Sequence, residues 1–247
     1  MGKKIGKILL FVFPVVLVLV MVLFLAPQEE RPEGIQPNET LEPVASESIV
    51  QYELSGSNYM KYTFAGKPYI YVVFELQNTG TVNIELDTAE FCLYDANGNL
   101  MDVTGLCQAY PNIIEPGELA YYAQAIADDY DVPINNITLQ NKCRATEKKC
   151  QYLEVSNDSI VEKERGMLKG SLTITNNTSQ VAEMVHSFCV IRDQSRKIVA
   201  LLTGSDYENL RSGSSFSTTV YESTLTKEIL DPAGFSKIYS SAFAFVR

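Results

Sequence analysis

The 247-residue chain predicts an all-β protein: two tandem antiparallel β-sandwiches that follow one N-terminal transmembrane helix. Three observations lead there. Apolar and polar residues alternate with a period of two over many short stretches, and turn-forming residues interrupt them roughly every 8 to 12 positions. The third is an internal repeat: Gln77-Asn78-Thr79-Gly80, Phe91-Cys92-Leu93-Tyr94-Asp95 and Glu115-Pro116-Gly117 return as Thr175-Asn176-Asn177-Thr178, Phe188-Cys189-Val190-Ile191-Arg192-Asp193 and Arg211-Ser212-Gly213. The offsets are 98 (Asn78 to Asn176), 97 (Phe91 to Phe188) and 96 (Gly117 to Gly213), so two single-residue deletions reconcile the copies. A period this long marks a duplicated domain rather than a solenoid unit.

From Ile8 to Ala26 the sequence is apolar without a charge, long enough as a helix to cross most of a ~30 Å hydrocarbon layer. Lys3, Lys4 and Lys7 precede it and Glu29 and Glu30 follow, which orients the bulk of the chain outside the cytoplasm. A removable signal peptide is the competing reading, but Phe24 and Pro27 suit a small-residue cleavage site poorly, and no Cys lies in or just after the run to accept lipid. Residues 1–27 therefore read as a cytoplasmic tip and uncleaved signal-anchor, and residues 28–48 as an acidic Pro/Glu-rich linker. The repeats divide the rest into a first sandwich over 49–147 and a divergent second over 148–247.

In the first copy Val72, Phe74 and Leu76 alternate with Val73, Glu75 and Gln77; Leu172 and Ile174 form the matching row in the second. Each strand runs into a polar corner, Asn78-Thr79-Gly80 or Asn176-Asn177-Thr178. Phe91 and Leu93 then point one way and Cys92 and Tyr94 the other, before Asn97-Gly98, the strongest short hairpin signal in the chain. The second copy carries Phe188 and Val190 in the corresponding places and ends in a looser turn, Asp193-Gln194-Ser195-Arg196. Glu115-Pro116-Gly117 leads into a strand through Leu119, Tyr121 and Ala123, as Arg211-Ser212-Gly213 leads into one through Phe216, Thr218 and Val220. The copies close with Ile137 to Leu139 and Ile238 to Val246. Such strands, with no sustained helical period beyond the anchor, describe sandwiches of the immunoglobulin-like class, although the chain has no Trp.

Phe91-x-Leu93-Tyr94-Asp95, preceded by Asn78-Thr79-Gly80 and followed by Pro116-Gly117, resembles the FxLYD domain family of bacteria and archaea. The full motif matches in the first copy; Phe188-x-Val190-Ile191-Arg192 departs from it. The resemblance implies an extracytoplasmic β-sandwich, often membrane-tethered, of a family without an assigned reaction. The residues themselves read as a folding signature: Phe91 and Leu93 as core, Tyr94 and Asp95 at a strand end within reach of turn amides.

Candidate chemistry is sparse. His186 is the single histidine, and no Cys-x-x-Cys or His-x-x-x-His spacing accompanies it, so it reads as structural. Cys143 and Cys150 flank a six-residue stretch, Arg144 to Lys149, that a disulfide would close into a small loop, with two free thiols as the alternative. If Asn97-Gly98 sets the register, Cys92 lies opposite Val103 rather than Cys107, and Cys189 is left over as a buried thiol. Asp95-x-Asn97-x-Asn99 and Asp128-Asp129-x-Asp131 offer oxygens to calcium, but the first lacks the downstream Glu of an EF-hand loop and is fully explained as a hairpin turn, and the second reads as a solvated strand end. Lys142, Arg144, Lys148 and Lys149 form a basic cluster, and Tyr59, Tyr62, Tyr69, Tyr71, Tyr110, Tyr121, Tyr122 and Tyr130 are an aromatic set that alternation divides between core and surface.

A net charge of -10 argues against nucleic acid as a partner. The expectation is a single-pass cell-membrane protein, its bulk extracytoplasmic, that binds or scaffolds an envelope protein or polymer without catalysis, cofactor or metal. A calcium- or glycan-binding adhesin and an envelope hydrolase are the alternatives.

Overall fold

The computed structural model describes residues 48–162, 167–206, 209–226 and 237–245; the expected membrane helix and most of the linker lie outside them. Fifteen strands account for all the regular structure among the described residues. The first repeat contains β1 (Tyr52–Phe64), β2 (Lys67–Asn78), β3 (Ile84–Leu86), β4 (Ala89–Tyr94), β5 (Leu100–Cys107), β6 (Ile113–Ile114), β7 (Leu119–Ala127), β8 (Asn136–Gln140) and β9 (Cys143–Ala145). The second contains β10 (Cys150–Glu162), β11 (Met167–Thr175), β12 (Glu183–Arg192), β13 (Ile198–Asp206), β14 (Ser215–Thr226) and β15 (Lys237–Phe245).

In the first repeat the sheets β1-β2-β7 and β5-β4-β8 face each other, and a small third sheet, β6-β3-β9, sits beside them. Phe74 of β2 stacks on Phe91 of β4 with ring centroids 5.9 Å apart, inside a core that also holds Ile70, Val72, Leu76, Leu93 and Tyr122. This is the sandwich-like layering that the alternation predicts. The long β1–β2 hairpin turns on Ala65 and Gly66, both at positive φ (51° and 77°), a two-residue turn whose twist suits the flanking strands.

The same strand order recurs in the second repeat, but there the six strands close on themselves as β10-β11-β14-β13-β12-β15. Two seams differ. Cys150–Leu153, the start of β10, pair with Phe245–Ala242 of β15, whereas Ile49 and Gln51 of the first repeat bond to its polar corner, accepting from Thr81 N, Thr79 N and Gly80 N. Gly80 is required for that, because a Cβ there would run into Ile49 O. At the other seam Thr203 pairs with Tyr221, while in the first repeat the side-chain amide of Gln124 occupies the space over Gly105, and β5 and β7 stay unpaired.

The duplication is legible in hydrogen bonds. Asn78 is buried; its amide donates to Val82 O (2.9 Å) and Ile114 O (3.0 Å), and its Oδ1 accepts from Gly80 N (3.0 Å). Asn176, also buried, donates to Gln180 O (2.7 Å) and Leu210 O (2.8 Å), and accepts from Thr178 N (3.0 Å). The polar corners where the strands reverse are thus pinned from within by their asparagines, since a buried asparagine is tolerated only when its amide is satisfied. The hairpin after Asp193 is no looser than that after Asp95. Asp95 N donates to Asn99 O (3.1 Å) and Asp193 N to Lys197 O (3.0 Å), and each carboxylate accepts turn amides.

Those landmarks correct the repeat register. Phe91 lies opposite Thr104, Cys92 opposite Val103 and Leu93 opposite Asp102; Cys189 lies opposite Leu202, Val190 opposite Leu201 and Ile191 opposite Ala200. The offset is therefore 98 from Asn78 through the hairpin, and Cys189 rather than Phe188 occupies the place of Phe91. Val190 likewise matches Cys92, not Leu93. One residue of register moves a side chain to the opposite face. Cys189 Sγ points into the closed ring, 3.0 Å from where a Cβ on Gly170 would sit, and 3.0 Å from Ser240 Oγ. Phe188 points out of it, toward the first repeat, with its ring 5.6 Å from that of Tyr121.

Glu47–Arg247 forms one compact unit, so the expected boundary at 147/148 separates copies of a pattern and not separately packed bodies. The cause is β2. Its even-numbered residues fill the first core, while Tyr71 and Val73, on its other face, join the core of the second repeat. A strand buried on both faces reads as an unbroken apolar run, as Ile70-Tyr71-Val72-Val73-Phe74 does.

Candidate functional site

The junction between the repeats is the most elaborated region of the described chain. Tyr71 is fully buried there, and its hydroxyl donates to Leu201 O and accepts from Leu201 N, both at 3.0 Å, standing in for a neighbouring strand along β13. Burial holds this phenol well above its ordinary pKa, so it keeps the proton that the first of these bonds needs. Arg192 pairs with Glu75, itself buried and bonded by Ser55 Oγ at 3.1 Å, and Tyr62 donates to Thr224 Oγ1 at 2.7 Å. Gly56 of β1 packs near Ile198 of β13, so backbone as well as side chains of the two repeats meet there.

Between these contacts an open cleft of about 500 Å³ is lined from the first repeat by Glu118, Leu119 and Tyr121, and from the second by Tyr152, Phe188 and Ser241. The turn at Gly117, bonded to Asn78 O at 2.8 Å, delivers Glu118 to the cleft, and β10 delivers Tyr152. Glu118 Oε2 accepts from Glu115 N (2.8 Å) and Tyr152 OH (2.9 Å), tying the two repeats across the opening. Tyr152 stands at the surface of this opening, whereas Tyr121 and Phe188 are each only 2% exposed and belong to the core beneath it.

The residues singled out from sequence distribute otherwise. All five cysteines are free thiols, including Cys143 on β9 and Cys150 at the start of β10, so the expected disulfide is absent; Cys150 Sγ instead donates to Ile113 O at 3.4 Å. Burial pushes Cys150 up to about 12, and Cys107 and Cys189 up to about 11, which makes them packing groups rather than nucleophiles. Cys92 lies opposite Val103, as the hairpin register requires, and Cys107 opposite Ala89. His186 is buried and stacked on Phe243 at 5.3 Å, and burial lowers its pKa.

Asp95 Oδ1 accepts from the backbone amides of Asn97 and Asn99, both at 2.8 Å, and hydrogen bonds led by Asn99 hold the carboxyl below its ordinary range. Those oxygens serve the turn. Asp128 pairs with Lys61 at 3.3 Å, and no group of three or more His, Cys, Asp or Glu placed to hold a metal occurs among the described residues. Three members of the basic cluster are spent locally: Arg144 on Glu85 and Asp87 (3.1 and 3.0 Å), Lys148 on Glu85 (3.1 Å) and Lys149 on Glu115 (3.9 Å). Of the tyrosines, Tyr71, Tyr121 and Tyr122 are buried, Tyr62 stacks on Tyr69 at 5.8 Å, and Tyr130 donates to Asp102 at 2.6 Å, so they do not converge on one face.

Phe91, Leu93 and Asp95 take their expected structural places, whereas Glu118 and Tyr152 were not singled out. A signal existed only in part: Glu118 follows the turn Glu115-Pro116-Gly117, whose counterpart is Arg211-Ser212-Gly213, and Tyr152 belongs to no motif. Comparison with known proteins finds no matching family model and no matching curated relative.

Proposed function

We propose that the chain is a non-catalytic binding or scaffolding protein of the cell envelope, held in the membrane by residues 1–27 and presenting two FxLYD-like, immunoglobulin-like modules outside the cytoplasm. The junction carries the reading: two repeats joined by a common buried core, with an aromatic- and carboxylate-lined cleft open between them, make one presenting body instead of two beads on a string. Thiols held near 11 to 12 by burial and a histidine turned toward its neutral form fit structural roles and not acid–base or nucleophilic ones. The apolar run of Ile8 to Ala26, the lysines before it and the acidic linker after it support the tether and its orientation.

The test is crosslinking in intact cells with the full chain, followed by recovery through a tag. Envelope components in the crosslinked product support the role; recovery of cytoplasmic components alone, or of none, overturns it. Protease added outside intact cells should cleave the region after Ser48, and its protection would overturn the orientation.

A further inference from the structure

We propose that Asn136 is a glycosylation site, its side-chain amide carrying a sugar chain delivered by a lipid-linked sugar phosphate. Asn136-Ile137-Thr138 has the acceptor pattern Asn-x-Ser/Thr, in which the middle residue is not Pro. The pleat of β8 sorts the three: Ile137 is buried, while Asn136 and Thr138 lie exposed on the other face. Asn136 directly follows the irregular stretch 128–135, and neither its side-chain amide nor the Thr138 hydroxyl has a hydrogen-bond partner among the described residues. The corner of the second repeat holds two more such triplets, starting at Asn176 and Asn177, and there the amides are spent. Asn176 is buried and donates to Gln180 O and Leu210 O, and Asn177 donates to Glu154. Asn38 and the side chain of Asn157 lie outside the described residues. In the transfer, catalysed by an enzyme of the membrane, Asn136 Nδ2 forms a bond to the anomeric carbon of the sugar. The bond from that carbon to the donor's phosphate oxygen breaks, and the proton lost from Nδ2 leaves with the phosphate.

The strand edge on which Asn136 sits gives the sugar a task. Sheet β5-β4-β8 has two outer strands, and an open edge pairs readily with another chain unless charge, Pro or a bulge blocks it. On β5 the block is built in: its register against β4 shifts twice, Gly105 has a φ of 82°, and Asp102 Oδ1 accepts from Val103 N at 2.8 Å. β8 has no such device, since Asn136–Gln140 pair with β4 without a shift and include neither a charged residue nor Pro. A bulky, hydrated glycan on the first residue of β8 keeps a second strand from that edge.

Peptide mass spectrometry of the full-length protein, purified from the membranes of its own cells, tests the inference. The peptide containing Asn136 should carry the added mass of a sugar chain, and Asn176 should be bare. Asn136→Gln and Thr138→Ala should each abolish the added mass, whereas Thr138→Ser, which restores the hydroxyl, should retain it. In sedimentation, the Asn136→Gln protein should show a larger self-associated fraction than the glycosylated protein at the same concentration. A bare Asn136, or a sugar retained in Thr138→Ala, overturns the proposal, and unchanged sedimentation overturns the shielding role. The inference rests on the orientation proposed above, yet the two fail separately. A bare Asn136 in a chain that external protease still cleaves removes only the glycan, whereas a sugar on Asn136 without envelope crosslinks removes only the scaffold role.

Discussion

The two repeats share strand order, the buried asparagine and the aspartate-anchored hairpin, yet one remains a pair of facing sheets and the other closes into a ring. The difference lies at the seams. In the first repeat Ile49 and Gln51 are drawn onto the corner at Gly80, and Gln124 fills the gap beside β5; in the second the equivalent stretch of β10 is released to pair with β15. A duplicated module therefore keeps its internal hydrogen-bond staples and changes its edges, where one strand's partner can be exchanged without disturbing the core. In the second copy the outer face of β12 meets the first repeat through Phe188, which packs on Tyr121, and Arg192, which pairs with Glu75.

The largest expected effects probe the two phenylalanines. Phe91→Ala and Phe188→Ala should each cost about 3 to 5 kcal/mol in denaturant unfolding. A double-mutant cycle with Tyr121→Leu should show coupling of about 0.5 to 1.5 kcal/mol for Phe188 and additivity for Phe91, because only Phe188 touches that ring. Equal coupling would return the phenylalanines to equivalent positions and break the register correction.

Asn78→Ala and Asn176→Ala should each cost about 3 kcal/mol, since each strands two carbonyls and one backbone amide, with Thr178 Oγ1 and Gln151 Nε2 also losing their acceptor in the second. Matching losses would show that the staple is as strong in the open repeat as in the closed one.

Alkali should act next. An unfolded thiol ionises at 9.0, while Cys107 and Cys189 ionise near 11 and Cys150 near 12 when folded. Their contribution to stability is complete below 9.0 and is lost as pH rises from there through 11 to 12, because the unfolded chain releases its protons first. Unfolding midpoints measured between pH 8 and 11 should fall, and Cys189→Ala should flatten the fall by removing the thiol that stands where Phe91 does in the other copy.

The smallest effect compares the hairpins. Gly98 and Arg196 hold the same left-handed position, at φ 81° and 68°. Arg196→Gly should stabilise by about 0.5 to 1 kcal/mol and Gly98→Ala destabilise by about 1 kcal/mol, read from thermal unfolding. The bond from Arg192 to the backbone oxygen of residue 196 survives Arg196→Gly, so a destabilising result would show that the added freedom of the unfolded chain outweighs the relief of backbone strain.

Much of the architecture was legible where local chemistry is self-sufficient. Alternation marks β2, β4, β7, β11 and β14, and Asn97-Gly98 by itself places Cys92 opposite Val103. The site was not legible. Glu118 looks like an ordinary turn acid until β10 brings Tyr152 within 2.9 Å, and Phe188 looks like a second Phe91 because an apolar run carries no sign of which face is which. Asp95 and Asp193, whose side chains bind their own turn, are the residues that carry the true register of the repeat.

By itself the order of residues determines an all-β chain, its duplication and the register of the Asn97-Gly98 hairpin, because each depends on neighbours in sequence: pleat period and turn conformation. Only the tertiary structure decided that the second repeat closes, that its cysteines stay thiols, and that Tyr71 and Phe188 bind the repeats into one body. Those outcomes depend on which surfaces meet across more than a hundred residues of chain, as from Tyr71 to Leu201, and burial of a strand's second face is settled only once its partner has arrived.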